Sequence, residues 1–178
     1  MQGVKNMEDY SYISKNISEI RGKIDAAAKR AGRNPEDILL LAVSKTVEVP
    51  RIKAAVDCGL TSLGENRVQE IMEKYEPMGE NIHWHLIGHL QTNKVKYIID
   101  KVELIHSVES RKLAEEIDRQ AKKHNVIAEV LIEINIAGEE SKFGIAPDDA
   151  EKFIAEISRF DNIRVRGLMT VAPNVENG

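Results

Sequence analysis

Apolar positions along the chain follow two alternating periods. Ile13, Ile17, Ile20, Ile24, Ala27 and Ala31 recur at spacings of three and four, which predicts an apolar stripe on a helix over about 9–31. Gly32 is placed to stop that helix, and Asn34-Pro35 to begin a turn. Ile38 to Ser44 is then an apolar run of the kind found in strands buried on both faces. Pro50 suits the first turn of a helix that carries Ile52, Ala55 and Val56 and ends at Gly59. Thr61 to Gly64 reads as a second strand. Val68, Ile71, Met72 and Tyr75 mark the next helix, with Pro77 as its stop. Ile82 to Gly88 is a third strand, followed by a short helix around Val95 and Ile98. Glu103 to Val108 is a fourth. Ser110 is placed as N-cap of a helix carrying Leu113, Ala114, Ile117 and Ala121. Ile127 to Ile136 is a fifth strand. Pro147-Asp148-Asp149 opens a helix with Phe153, Ile154 and Ile157, and Ile163 to Thr170 is a sixth strand.

Six strands beginning near 38, 61, 82, 103, 127 and 163, each separated by a helix, predict an α/β fold with a parallel sheet. The first repeats are about 20 residues long, which suits a compact barrel better than a large open sheet. A closed (β/α)8 barrel needs two more strands, and about 200 residues or more. The expectation is a barrel with about six of its eight strands and an extra N-terminal helix. A six-stranded doubly wound sheet is the alternative that needs no missing piece. No linker or low-complexity stretch divides residues 1–178, so they read as a single domain, with strand–helix units over about 38–170.

Composition narrows the partners. With 25 Lys+Arg against 29 Asp+Glu, the net charge of -4 disfavours nucleic acid or anionic lipid held by bulk charge. One Trp, four Tyr and three Phe leave little for base stacking. Cys58 is the single cysteine, which excludes an internal disulfide or a cysteine zinc cluster. Beside Gly59 at a helix end it reads as structural. The longest apolar run, Ile38 to Val43, is too short to span a bilayer. Residues 1–20 lack the apolar core of a signal peptide, and the expected location is cytoplasmic.

In parallel α/β folds functional groups gather at the carboxyl ends of strands. Lys45 follows the first strand. Desolvation there would favour a neutral amine able to form a Schiff base with an aldehyde; the alternative is a lysine snorkelling to water. His83 and His85 share one strand face, the geometry of a two-histidine metal pair. They sit early in their strand without a carboxylate beside them, which favours packed core histidines and no metal. His89 lies just past the strand end. Residues Ala137 to Ala146 form a long loop in which Lys142 either contacts an anion or is solvated beside Glu139 and Glu140.

The segments LAVSKT (41–46), GENRVQE (64–70), WHLIGHLQTNK (84–94), HSVES (106–110), INIAGEESKFGI (134–145) and RGLMT (166–170) stand in order at successive strand ends. Together they resemble the pyridoxal-phosphate homeostasis proteins, single-domain relatives of the alanine racemase N-terminal barrel. The resemblance implies a TIM-barrel-type fold of the racemase kind that binds pyridoxal 5'-phosphate. Lys45 matches the family lysine that carries the cofactor as a Schiff base. Asn66 matches a residue beside the cofactor, and His85, Ser107 and Met169 match pocket-lining positions. Lys142 matches a second lysine discussed as a cofactor acceptor or relay.

The family's phosphate-holding segments, after strands seven and eight, have no counterpart before Gly178. The expectation is therefore a cofactor weakly held or absent. Strands one and six should leave open edges, shielded in an oligomer or by further chain. Racemisation needs a base on each face of the substrate carbon, and the resemblance instead implies cofactor carriage and vitamin B6 homeostasis, with apo pyridoxal-phosphate enzymes as recipients. Two alternatives stand beside it: a pyridoxal-phosphate-dependent amino-acid racemase or lyase, and a metal-dependent barrel hydrolase using His83 and His85.

Overall fold

Short apolar strands alternating with amphipathic helices have one economical arrangement, a parallel sheet whose crossover helices cover one face. The computed structural model, which describes residues 10–136 and 143–171, has it. Six parallel strands run in the order β1-β2-β3-β4-β5-β6, namely Ala42–Val43, Ser62–Glu65, His83–Leu86, Leu104–Val108, Ala128–Glu133 and Ile163–Met169. The helices are α1 (Ser11–Arg30), α2 (Val49–Asp57), α3 (Val68–Met78), α4 (Arg111–His124) and α5 (Ala150–Ile157). Three-residue-per-turn segments at Pro35–Asp37, Thr92–Tyr97 and Pro147–Asp149 complete the connections. This is a TIM-barrel-type α/β fold.

The core lies between the sheet and its helices. Leu63, Trp84, Leu86, Ile105, Val130 and Ile132 come from the strands; Ile71 of α3, Leu113, Ile117 and Ala121 of α4, and Ile157 of α5 meet them. The other face of β5 carries Glu129, Leu131 and Glu133, all half-buried. Ser110 caps α4 by accepting a hydrogen bond from the Leu113 N–H, and Asn125 ends that helix in a left-handed conformation.

Several boundaries differ from the periodicity. Ile38 to Ser44 does not form a strand buried on both faces: the strand itself is only Ala42–Val43. Ahead of them, Pro35 opens a tight turn over Pro35–Asp37. β1 pairs with β2 alone among the described strands, so Leu39 is 64% and Val43 50% exposed. Pro77 does not stop α3. It sits in the last turn, and the helix ends one residue later at Met78, capped by Gly79, whose φ of 82° a side chain would resist. β5 stops at Glu133, and Ile134 makes a single bridge to Ile145. β1 and β6 are not paired with each other, which leaves them as the two sheet edges.

β6 contains a register shift. Glu129 faces Arg164 and Val130 faces Val165, but Leu131 faces Gly167, so Arg166 is an extra residue. Arg164 and Arg166 both bond the Glu129 carboxylate, at 3.1 and 2.9 Å. Beyond the shift, Met169 lies opposite Glu133.

Candidate functional site

Val43, Gly64, His85 and Leu104 lie abreast on four neighbouring strands. Two residues further toward the carboxyl edge come Lys45, Asn66, Ile87 and His106. The register therefore brings four of the segments singled out from sequence to one rim.

Lys45 sits between two anchored neighbours. The Ser44 N–H donates to the Gly64 carbonyl at 2.9 Å, extending the ladder. The Ser44 hydroxyl donates to Glu65 Oε1 at 2.7 Å. From α3, Lys74 Nζ donates to the Ser44 carbonyl at 2.9 Å, to Glu65 Oε1 at 2.7 Å and to Glu70 Oε2 at 3.1 Å. Glu70 Oε2 in turn accepts from the Thr46 N–H at 2.8 Å. That amide, opposed by burial and aided by Lys74, holds the Glu70 carboxyl below its ordinary pKa. Glu65 and Lys74 are buried, and Thr46 has a φ of 60°, uncommon for a β-branched residue. The Lys45 side chain is exposed. The desolvation expected of it from its strand-end position is thus absent among the described residues, because β1 is an edge.

Asn66, Gly88 and Ser107 form a continuous wall. A Cβ on Gly88 would stand 2.4 Å from the Asn66 carbonyl oxygen, so only glycine lets these backbones approach. Ser107 is buried and its hydroxyl donates to the Gly88 carbonyl at 2.7 Å. The sequence resemblance named Asn66 and Ser107; Gly88 joins them.

His85 and His83 part company. His85 Nδ1 is 2.9 Å from His106 Nε2, with the rings edge-on at 69°. Burial pushes the His106 imidazole down to about 4, with His85 adding to it. Burial likewise lowers His85, opposed by Glu103 and assisted by His83. Both rings are therefore neutral at pH 7 and share one proton between the facing nitrogens. His85 Nε2 is buried with no partner among the described residues. His83 instead pairs with Glu103. No group of three or more metal-ligand side chains exists among the described residues, and the two imidazoles of the proposed metal pair hold separate partners.

A second cluster joins the ends of β3, β4 and β5. The His89 ring stacks on Phe143 with centroids 3.8 Å apart, and its Nδ1 lies 3.4 Å from Glu109 Oε1. Burial raises the Glu133 pKa; Glu109 adds to this and His89 opposes it. Met169 is half-buried opposite Glu133, and its carbonyl accepts from the Ile134 N–H at 2.8 Å. Lys142 and residues 137–141 of its loop lie outside the described residues.

Sequence reasoning missed Glu65, Glu70 and Lys74. Two of them, Glu65 and Glu70, stand inside the quoted GENRVQE segment, so the motif held the signal without the roles. His106 and Glu109 stood equally unused inside HSVES.

A family model described as alanine racemase, N-terminal domain, matches residues 15–177. A pyridoxal phosphate homeostasis protein of Aquifex aeolicus is 44% identical over 162 residues, 90% of this chain and 71% of that protein. Two solved structures share the fold closely. One is an unknown protein from Bifidobacterium adolescentis, 34% identical with a TM-score of 0.90, covering 98% of this chain and 76% of that one. The other is PipY of Synechococcus elongatus with pyridoxal phosphate bound, 30% identical with a TM-score of 0.76, covering 90% and 71%.

Proposed function

This chain belongs to the alanine racemase N-terminal domain family, and from that premise we propose that it binds pyridoxal 5'-phosphate through Lys45 and acts as a cytoplasmic carrier in cofactor homeostasis. The observation that carries the reading is the setting of Lys45: a backbone tied down on both sides, and an amine left open at the carboxyl rim. The resemblance to the Aquifex protein named for pyridoxal phosphate homeostasis, and to a structure holding that cofactor, supports it.

The residues present fit the aldehyde and ring of such a group. The close approach of the Gly88 and Asn66 backbones gives the rim a rigid wall against which a flat ring can rest, and the orphan His85 Nε2 is a buried polar atom beneath the same rim. When bound, the cofactor supplies an aldehyde carbon that condenses with an amine with loss of water, so neither oxidant nor reductant is needed. Lys45 supplies that amine. Asn66 and Gly88 orient the ring from one side, and Ser107 fixes the Gly88 carbonyl behind it. The neutral His85–His106 pair adds no charge beneath the rim. Met169 and Lys142 are further members of the pocket on this reading.

The test is titration of the chain with pyridoxal phosphate, followed by borohydride reduction and peptide mapping. Reduction should place the label on Lys45, and Lys45→Ala should lose it. Equal labelling of the variant on other lysines would sink the proposal. Exchange of the α-hydrogen of free amino acids with solvent deuterium would replace the carrier by an enzyme.

A further inference from the structure

The backbone hydrogen bonds around Lys45 show what aims it. Two peptide groups flank its α-carbon. The one before it presents the Ser44 carbonyl, and the one after it presents the Thr46 N–H. Both are bonded to α3: Lys74 Nζ donates to the Ser44 carbonyl, and the Thr46 N–H donates to Glu70 Oε2. Lys74 also bonds Glu70 directly, so a single cluster grips the chain on either side of one residue. Holding both peptide planes fixes φ and ψ of Lys45, and with them the direction in which its side chain leaves the backbone.

A purely structural ion pair does not need this arrangement. Lys74 already has Glu65, which is fully buried, as its partner. Glu70 is partly open to solvent, at 19% exposure, and bonds a backbone amide that leaves the β1 ladder in a left-handed turn. That conformation is unfavourable for threonine and persists only where its surroundings hold it.

We propose that Glu70 and Lys74 are positioning residues that hold the Lys45 backbone, and so aim its amine at the carbonyl carbon of an incoming aldehyde. This rests on the reading that Lys45 is the attachment site. Positioning of a reacting group within a narrow angular range is a rate and affinity effect.

The experiment titrates the full chain with pyridoxal phosphate, reduces with borohydride, and quantifies label on the Lys45 peptide against concentration. Thermal melting is followed in parallel. Glu70→Ala should raise the half-saturating concentration about tenfold, the scale of one charge-assisted hydrogen bond. Glu70→Gln keeps an acceptor for the Thr46 N–H while losing the charge, and should stay within about threefold of the native chain. Its melting temperature should nevertheless fall with that of Glu70→Ala, since both lose the ion pair with Lys74. If Glu70→Ala does not fold, Glu70→Asp takes its place: the charge stays but the acceptor withdraws by one methylene, and the same tenfold loss is expected. Native half-saturation in Glu70→Ala or Glu70→Asp overturns the positioning role alone. A native chain without label on Lys45 overturns the attachment reading, and the positioning role with it.

Discussion

His85 Nδ1 and His106 Nε2 stand 2.9 Å apart beneath the carboxyl rim, two imidazoles that can share only one proton between them. Protonating both would set like charges side by side in a buried place. The His106 pKa accordingly falls to about 4, through burial first and His85 second.

That shift has a sign for stability. The unfolded His106 takes up its proton near the ordinary value of about 6.5, whereas the folded one resists until about 4. Between those values the unfolded chain binds more protons, so stability should fall as pH drops through this window. The melting temperature from pH 7 to pH 4 should show it, and His106→Asn should flatten that slope. Imidazole resonances should keep His106 neutral to near pH 4; titration near 6.5 would refute the buried pair.

Gly64 lies in β2 and Gly88 just past the end of neighbouring β3, and they differ in what surrounds them. A Cβ at Gly88 meets backbone atoms of Asn66, at 2.4 and 2.8 Å, which cannot swing aside. At Gly64 it meets the ends of the Ile87 and Leu41 side chains, at 3.0 and 3.2 Å. Gly88→Ala should cost about 1–3 kcal/mol or more in denaturant unfolding, with Gly64→Ala costing less. Gly88→Ala should also weaken cofactor titration, because Asn66 must retreat from the rim. Equal losses at the two sites would show that the wall is softer than its geometry.

Removing the Lys74 ammonium leaves Glu65 at 0% exposure with its charge uncompensated. Lys74→Met should destabilise the chain by about 3–5 kcal/mol, and adding Glu65→Gln should recover part of it. Urea unfolding of the single and double variants measures both. A single variant as stable as the native chain would mean that solvent reaches the pair.

Local chemistry was legible in the sequence and distant pairing was not. The cap at Ser110 needs only its own N–H partner three residues on, and it stands where the pattern put it. The edge position of β1 depends on which strands lie beside it, which no run of apolar residues encodes; hence Leu39 and Val43 are exposed. No local pattern marks Lys74 for burial, because its partner Glu65 is nine residues back, on the preceding strand. His106 sits 21 residues from His85, a distance set by a crossover and carrying no periodic signal. The motif singles out Lys45 and Asn66, while the groups that hold the Lys45 backbone become visible only with α3 packed behind it.

The extra residue in β6 works as a change of parity. Before it, even-numbered Arg164 lies opposite odd-numbered Glu129; after it, odd-numbered Met169 lies opposite odd-numbered Glu133. Were Arg166 instead to take a regular place opposite Leu131, Leu168 would fall opposite Glu133 and Met169 would turn to the other face of the sheet. Which of the two looks onto the rim is decided by a count modulo two, and the bulge is where the count is kept.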